Sequence, residues 1–440
     1  MNGRDSARRL ALRPTTSLAV ALLCLMASVR DARAAGIRAG VAQVDITPPT
    51  GGLTAGYAGA PPTDGVHDPL SARVLVLASG KSTVALAVCD LCTFNSARLH
   101  EQMPALGIDR LLLLNTHTHA GPKMDQDDFP RPGEPWREAV ERRVLDAIRR
   151  AKADMFDASF RAGEGELQLG YNRLVRRGDY AVTHFENPEH IPFGPVDPTV
   201  GVIRVTDEKA KVRAVLVAYA CHPVILGPRN SKLSADYPGV MRRRVEEKLG
   251  GESTCFFIQG GGGDINPLLM ARGEDRAGDF EVVERVGRRL ADEVLDVLRG
   301  MEDRPGASER LASASRAITV ADRWHPDRDV KLGVTTLLLN DDIAIVTMPG
   351  EPFHRFQVDV RRKAGVPHAY LFGYCCDGPY AWPSYLPDLE SAARGGYGAS
   401  DTTRAEVGAG ERLVDAGLVQ LFTLQGRLKA EPRRHTFEEK

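Results

Sequence analysis

An α/β fold, with mixed β-sheets flanked by helices, is predicted by three features of the sequence. Short apolar runs rich in Val, Ile and Leu recur at residues 73–78, 84–88, 111–114, 212–219, 254–258 and 343–347, which is the length and composition of buried strands. Amphipathic patterns of helical period interleave with them, most clearly over residues 136–155, 237–249 and 280–301. In the last of these, Val282, Val283, Val286, Leu290, Val294 and Val297 keep a mostly three-to-four spacing and share one face. Period-2 pieces such as residues 202–205 allow antiparallel pairing, so the sheets are expected to be mixed rather than purely parallel.

In chain order, residues 1–34 stand apart. Arg4, Arg8, Arg9 and Arg13 precede an apolar run over residues 18–26 that ends at Ala32-Arg33-Ala34. A basic start, a short apolar stretch and small residues at a cleavage point describe an export signal, so a periplasmic or secreted mature chain is expected from Ala35. The run is too short to span a bilayer, and no transmembrane anchor is expected in the mature chain. Residues 35–430 contain no Ser/Gly linker, charge block or repeat and read as one catalytic-type domain, followed by a polar tail over residues 431–440. With 57 Lys and Arg against 58 Asp and Glu, bulk charge argues against a nucleic-acid partner. Of seven cysteines, six lie beyond the leader. Cys89-x-x-Cys92 reads as core packing or an incidental disulfide ahead of a redox pair or half a zinc site, because no second spaced pair completes one.

The chemistry lies where the apolar runs stop. Residues 111–114 lead into Asn115-Thr116-His117-Thr118-His119-Ala120-Gly121-Pro122. In extended chain, positions i and i+2 share a face, so His117 and His119 can enter one pocket and bind metal or move protons. The plain alternative is two surface histidines at a sheet edge. Residues 215–221 lead to His222-Pro223, and residues 343–348 to Pro349-Gly350-Glu351-Pro352, a carboxylate on a stiff turn suited to ligation, general base work or simple solvation. Gly260 to Gly263 precede Asp264-Ile265-Asn266-Pro267; four glycines let backbone approach closely and can aim N–H groups at an anion, or serve as a flexible connection. No Gly-Lys-Ser/Thr follows, which argues against a nucleotide loop. Tyr380, Tyr385 and Tyr397 sit in a Gly/aromatic segment that can line a pocket or form a surface lid.

Together, Val44-Asp45-Ile46-Thr47-Pro48, Gly65-Val66-His67, Thr116-His117-Thr118-His119-Ala120-Gly121-Pro122, His222-Pro223, Gly263-Asp264 and Pro349-Gly350-Glu351 resemble the neutral/alkaline ceramidase family along nearly the whole mature chain. The family's members are zinc amidases with an α/β catalytic domain and a C-terminal immunoglobulin-like domain; this chain is expected to be a short member without the latter. The resemblance implies a Zn²⁺ cofactor held by His117, His222, Glu351 and Tyr385. It implies His119 as a catalytic hydrogen-bonding residue, Tyr397, twelve positions after Tyr385, as a substrate contact, and Arg173 of Asn172-Arg173 as a transition-state or substrate contact. Gly56, Gly263 and Asp264 complete the expectation on the substrate side. Ceramidases carry a serine where this chain has Asn266, and an amide cannot become a hydroxyl nucleophile, so an attacking water activated by zinc is expected instead. The expected substrate is a small molecule or lipid amide, an N-acyl sphingosine or another N-acyl lipid. Alternatives are an exported binding protein that lost catalysis with the serine, and a zinc hydrolase for an ester or carbohydrate. Phe129, Trp136, Phe185, Phe193 and Trp382 are candidates for an apolar entrance or for capping the core.

Overall fold

Side chains alternate across a strand, so a run that is apolar at every position must be covered on both faces. The computed structural model, which describes residues 36–80, 82–124, 135–271, 276–302 and 310–428, meets that demand with three sheets around one shared core. The proposed export signal, Phe129 and the tail at 431–440 lie outside the described residues.

The first sheet has six strands in the order Cys375–Cys376, Arg110–Asn115, Ser82–Cys89, Ser71–Ser79, Arg38–Asp45 and Phe156–Asp157. The second runs Thr254–Gln259, Val212–Tyr219, Thr199–Thr206 and Ser159–Glu166, and the third Leu311–Ala321, Asp329–Leu339, Ile343–Thr347 and His368–Phe372. Each sheet contains one parallel pair, with the remaining strands antiparallel: Ser82–Cys89 beside Arg110–Asn115, Val212–Tyr219 beside Thr254–Gln259, and Ile343–Thr347 beside His368–Phe372.

Alternation divides each strand between two cores. Leu86, Leu112, Leu216, Phe256, Ile345 and Phe372 point into the core common to all three sheets. Their neighbours Ala87, Leu113, Val217, Phe257, Val346 and Leu371 point outward beneath helices. Helix Pro135–Ala153 covers the first sheet through Val140, Val144 and Ile148. Helices Asp236–Lys248 and Arg276–Gly300 cover the second, and His354–Lys363 and Ala409–Leu424 the third.

The six expected strands and three expected helices are present within a few residues of their expected bounds. Strands Arg38–Asp45 and Leu311–Ala321 carry mostly half-exposed or exposed side chains, so no continuous apolar run marks them. The six cysteines beyond the leader are free and buried, so Cys89 and Cys92 do not form the disulfide that the sequence left open. The entrance expectation needs correction: Trp382 is buried in a core cluster and Trp136 packs against the same cluster. Phe193 packs on Tyr171 and His184, and only Phe185 of the described set faces the site.

This architecture aims all three parallel pairs at one place. Beyond their carboxyl ends lie Cys92, His117, His222, Asn266, Glu351 and Tyr374, one from each of the six strands.

Candidate metal centre

His117 leaves its strand in a left-handed turn with φ of 68°, a conformation that costs a non-glycine residue about 1–3 kcal/mol and is kept where surrounding structure demands it. The strand itself ends at Asn115, so His117 and His119 do not meet by simple alternation as expected; the turn brings their Nε2 atoms to 3.2 Å. His117 Nδ1 donates to the Cys92 carbonyl at 2.7 Å, and His222 Nδ1 donates to the Ile265 carbonyl at 3.1 Å. Each bond fixes a tautomer that leaves Nε2 as a lone pair. Both Nε2 atoms face the same oxygen, Glu351 Oε2, at 3.2 and 3.1 Å. His117 and His222 are 1% exposed and Glu351 is 6% exposed.

With both Nδ1 protons committed to carbonyls, the two Nε2 atoms and the Glu351 oxygen converge on one point that calls for positive charge, a proton shared with His117 or a bound cation. A divalent cation fits that donor set, and the three ligating atoms lie within 4.8 Å of one another. Burial alone would raise the Glu351 carboxyl, but His117 and His222 hold it well below the ordinary range. Burial pushes His222 down to about 4 despite Glu351, and holds His119 well below the ordinary imidazole value with His117 and His222 beside it. For His117 burial is outweighed by Cys92 and Glu351, which raise it well above that value.

Tyr385 reaches the cluster through register. Strand Glu351–Pro352 pairs in parallel with Tyr385–Leu386, with Glu351 and Tyr385 directly opposite. The Tyr385 ring lies 6.5 Å from that of His222 and 5.4 Å from that of Tyr397. Arg173 sits over both tyrosines, its guanidinium carbon 5.2 Å from the Tyr385 centroid and 5.1 Å from that of Tyr397. It donates to Asn266 Oδ1 at 3.1 Å and to the Gly263 carbonyl at 2.7 Å. Strand pairing explains this contact, since Gly170–Asn172 runs antiparallel to Ile265–Pro267.

The glycine run does not present an anion cradle. Its four N–H groups donate to Tyr219 O, Gln357 Oε1, Gly260 O and Pro352 O. Its use is close approach: a Cβ on Gly263 would lie 2.4 Å from the Glu351 carbonyl oxygen. Asp264 is wholly buried, with Oδ2 accepting from His354 Nδ1 at 2.6 Å and Asn172 Nδ2 at 2.7 Å, and Oδ1 accepting from the His354 backbone at 2.9 Å. It ties the segment before Arg173 to the helix after Glu351. Gly56 lies under His119, where a Cβ would meet the ring at 2.1 Å.

Three residues at the centre were not singled out for it in the sequence. Cys92 Sγ lies 3.6 Å from His117 Nδ1. The Tyr374 ring packs 4.5 Å from His117 and the Tyr57 ring 4.9 Å from His119, each with a buried hydroxyl lacking a hydrogen-bond partner. The one available clue was position: Cys92 and Tyr374 follow apolar runs just as His117 does.

No family model and no curated protein matches the sequence. Solved structures do match in fold. Neutral ceramidase from Pseudomonas aeruginosa superposes with a TM-score of 0.73 at 18% identity, over 90% of this chain and 76% of that one. A ceramidase complexed with C2 gives 0.72 at 17% identity, with the same coverage. The mixed α/β class and the ceramidase-like architecture expected from the sequence are borne out.

Proposed function

We propose that the chain is an exported zinc-dependent amidohydrolase that cleaves an N-acyl substrate, an N-acyl sphingosine or another N-acyl lipid. The observation that carries this reading is the meeting of His117 Nε2, His222 Nε2 and Glu351 Oε2, with both Nδ1 atoms already committed to backbone carbonyls. The fold shared with neutral ceramidase supports the substrate class. Export rests on the leader alone, and among the described residues no helix is long and apolar enough to cross a membrane.

His117, His222, Glu351 and Tyr385 would hold the ion. When bound, zinc supplies Lewis acidity that activates water at neutral pH and polarises a scissile carbonyl. His119, whose Nδ1 is buried without a partner, takes the proton released by water and returns it to the leaving amine. Arg173 and the Asn266 amide donate to the oxygen that gains charge as the carbonyl becomes tetrahedral. Asn266 has no hydroxyl to form an acyl-enzyme, so water attacks directly. Tyr397, half-buried between Tyr385 and Phe185, contacts the substrate at the rim. Gly56 keeps the face of His119 clear of a side chain, while Gly263 and Asp264 act from the substrate side by holding the Glu351 turn and Arg173 in place.

Metal analysis paired with a hydrolysis screen tests this. N-acyl sphingosines, N-acyl amino acids, simple esters and glycosides are offered to zinc-loaded and chelated protein. Stoichiometric zinc with metal-dependent release of a free amine is expected. Ester or sugar turnover without amide turnover transfers the chemistry to a different substrate class. Zinc without any turnover favours a binding protein, a reading that rests on Asn266 standing where ceramidases carry a serine. Absence of bound zinc refutes the centre itself.

A further inference from the structure

His117 belongs to two sets of ligating atoms. Besides His222 and Glu351, it groups with Cys92 and His119, and the three ligand atoms of this second set also lie within 4.8 Å of one another. Cys92 has no part in the proposed hydrolysis. It lies three residues past the end of strand Ser82–Cys89 and is buried, and its sulfur is at the His117 ring rather than in a core cluster. Cys89, by contrast, packs into the apolar layer under helix Pro135–Ala153.

His119 supplies an independent observation. Its Nε2 faces His117 Nε2 at 3.2 Å, and its Nδ1 is buried without a partner. The close Nε2 approach and the unpartnered Nδ1 leave the His119 ring without a hydrogen-bond partner other than His117, which suits it to ligate a cation beside that ring.

We infer that Cys92, His117 and His119 form a second, sulfur-containing position for a thiophilic divalent cation such as cadmium, cobalt or zinc. It rests on the preceding reading only through the shared His117. One thiolate with two imidazoles is a donor set of softer character than the carboxylate-containing set, so ions that prefer sulfur favour it. Binding forms a metal–sulfur bond and releases the thiol proton to solvent, with no change of oxidation state.

Cobalt is the direct probe, because a cobalt–thiolate bond gives a near-ultraviolet charge-transfer band that nitrogen and oxygen ligands do not. The full chain titrated with cobalt should show the band, and Cys92→Ser and Cys92→Ala should lose it. Cadmium affinity should fall about 10–100-fold in these variants, and the His222→Ala variant should keep the cobalt–sulfur band because it leaves the second set whole. Circular dichroism confirms that each variant folds, and the wild-type spectrum decides the matter even if one does not. Stoichiometric cobalt with no band, or a band that survives loss of Cys92, overturns the sulfur position and leaves the His222 and Glu351 centre standing. No cobalt binding at all overturns both.

Discussion

Removing the Asp264 carboxylate should destabilise the protein strongly, because it ties the segment before Arg173 to the helix after Glu351. In Asp264→Ala, the His354 Nδ1 at 2.6 Å, the His354 backbone N–H at 2.9 Å and one bond from Asn172 at 2.7 Å all lose their acceptor. Asp264 is 0% exposed and His354 7%, so water cannot replace what is lost without local opening. Breaking a buried pair of this kind costs about 3–5 kcal/mol. At an m value of about 3 kcal/mol/M this moves the urea midpoint down by about 1–2 M. The double variant Asp264→Ala/His354→Ala removes both charges and should cost less than the sum of the single changes. The pH dependence has a definite sign. Burial works against both charges, but His354 and Asn172 lower the Asp264 carboxyl and Asp264 raises the His354 imidazole. The carboxylate contribution is present above its unfolded value of about 3.9 and is lost as pH falls through the lower folded value. The imidazolium contribution is present below about 6.5 and is lost as pH rises through the higher folded value. The stability gap between wild type and the double variant should therefore be widest from about pH 4 to 6.5. A single-variant cost below about 1 kcal/mol, or a strictly additive cycle, would refute the clamp.

At the centre itself, His117→Ala, which breaks both ligand sets, should lose zinc and turnover together and His222→Ala should lose turnover, whereas Asn266→Ala should retain zinc; elemental analysis after gel filtration decides, and zinc retained by the His117 variant contradicts the ligand set. Gly263→Ala should cost about 1–3 kcal/mol and weaken zinc binding about tenfold or more, since its Cβ would press on the Glu351 carbonyl oxygen, while Gly52→Ala, with nothing within 4 Å, should change neither. Chelation should lower the unfolding temperature and restored zinc should recover it, the coupling reaching about 4 kcal/mol at a free zinc concentration a thousand times the dissociation constant; a scan insensitive to chelator counts against a metal in the folded state.

Much of the fold was legible because burial is written locally. Leu111 to Leu114 must be covered on both faces wherever the strand lies, and the spacing of Val286, Leu290 and Val294 marks one helix face without reference to any partner. Helix Ala409–Leu424 was not among the helices singled out from the sequence. The candidate ligands were visible as polar residues that interrupt apolar runs. The glycine run was misread in part: its composition allows both an anion cradle and close backbone packing, and only the positions of Gln357 and Pro352 choose the latter. Tyr374 was invisible as a site residue, and Cys92 was weighed only with Cys89 as a redox pair or half a zinc site and set behind core packing, because a cysteine or tyrosine at a strand end looks the same beside a metal centre as inside a core.

What the sequence determined by itself is the set of strands, the alternation that buries both their faces, and the polar chemistry placed just past their carboxyl ends. Which of those ends meet was decided by tertiary structure. Residues 117, 222 and 351 follow strands of three different sheets, and nothing local relates them. They converge because the inner faces of all three sheets are apolar and share one core, and burying it turns the three parallel pairs toward a common point.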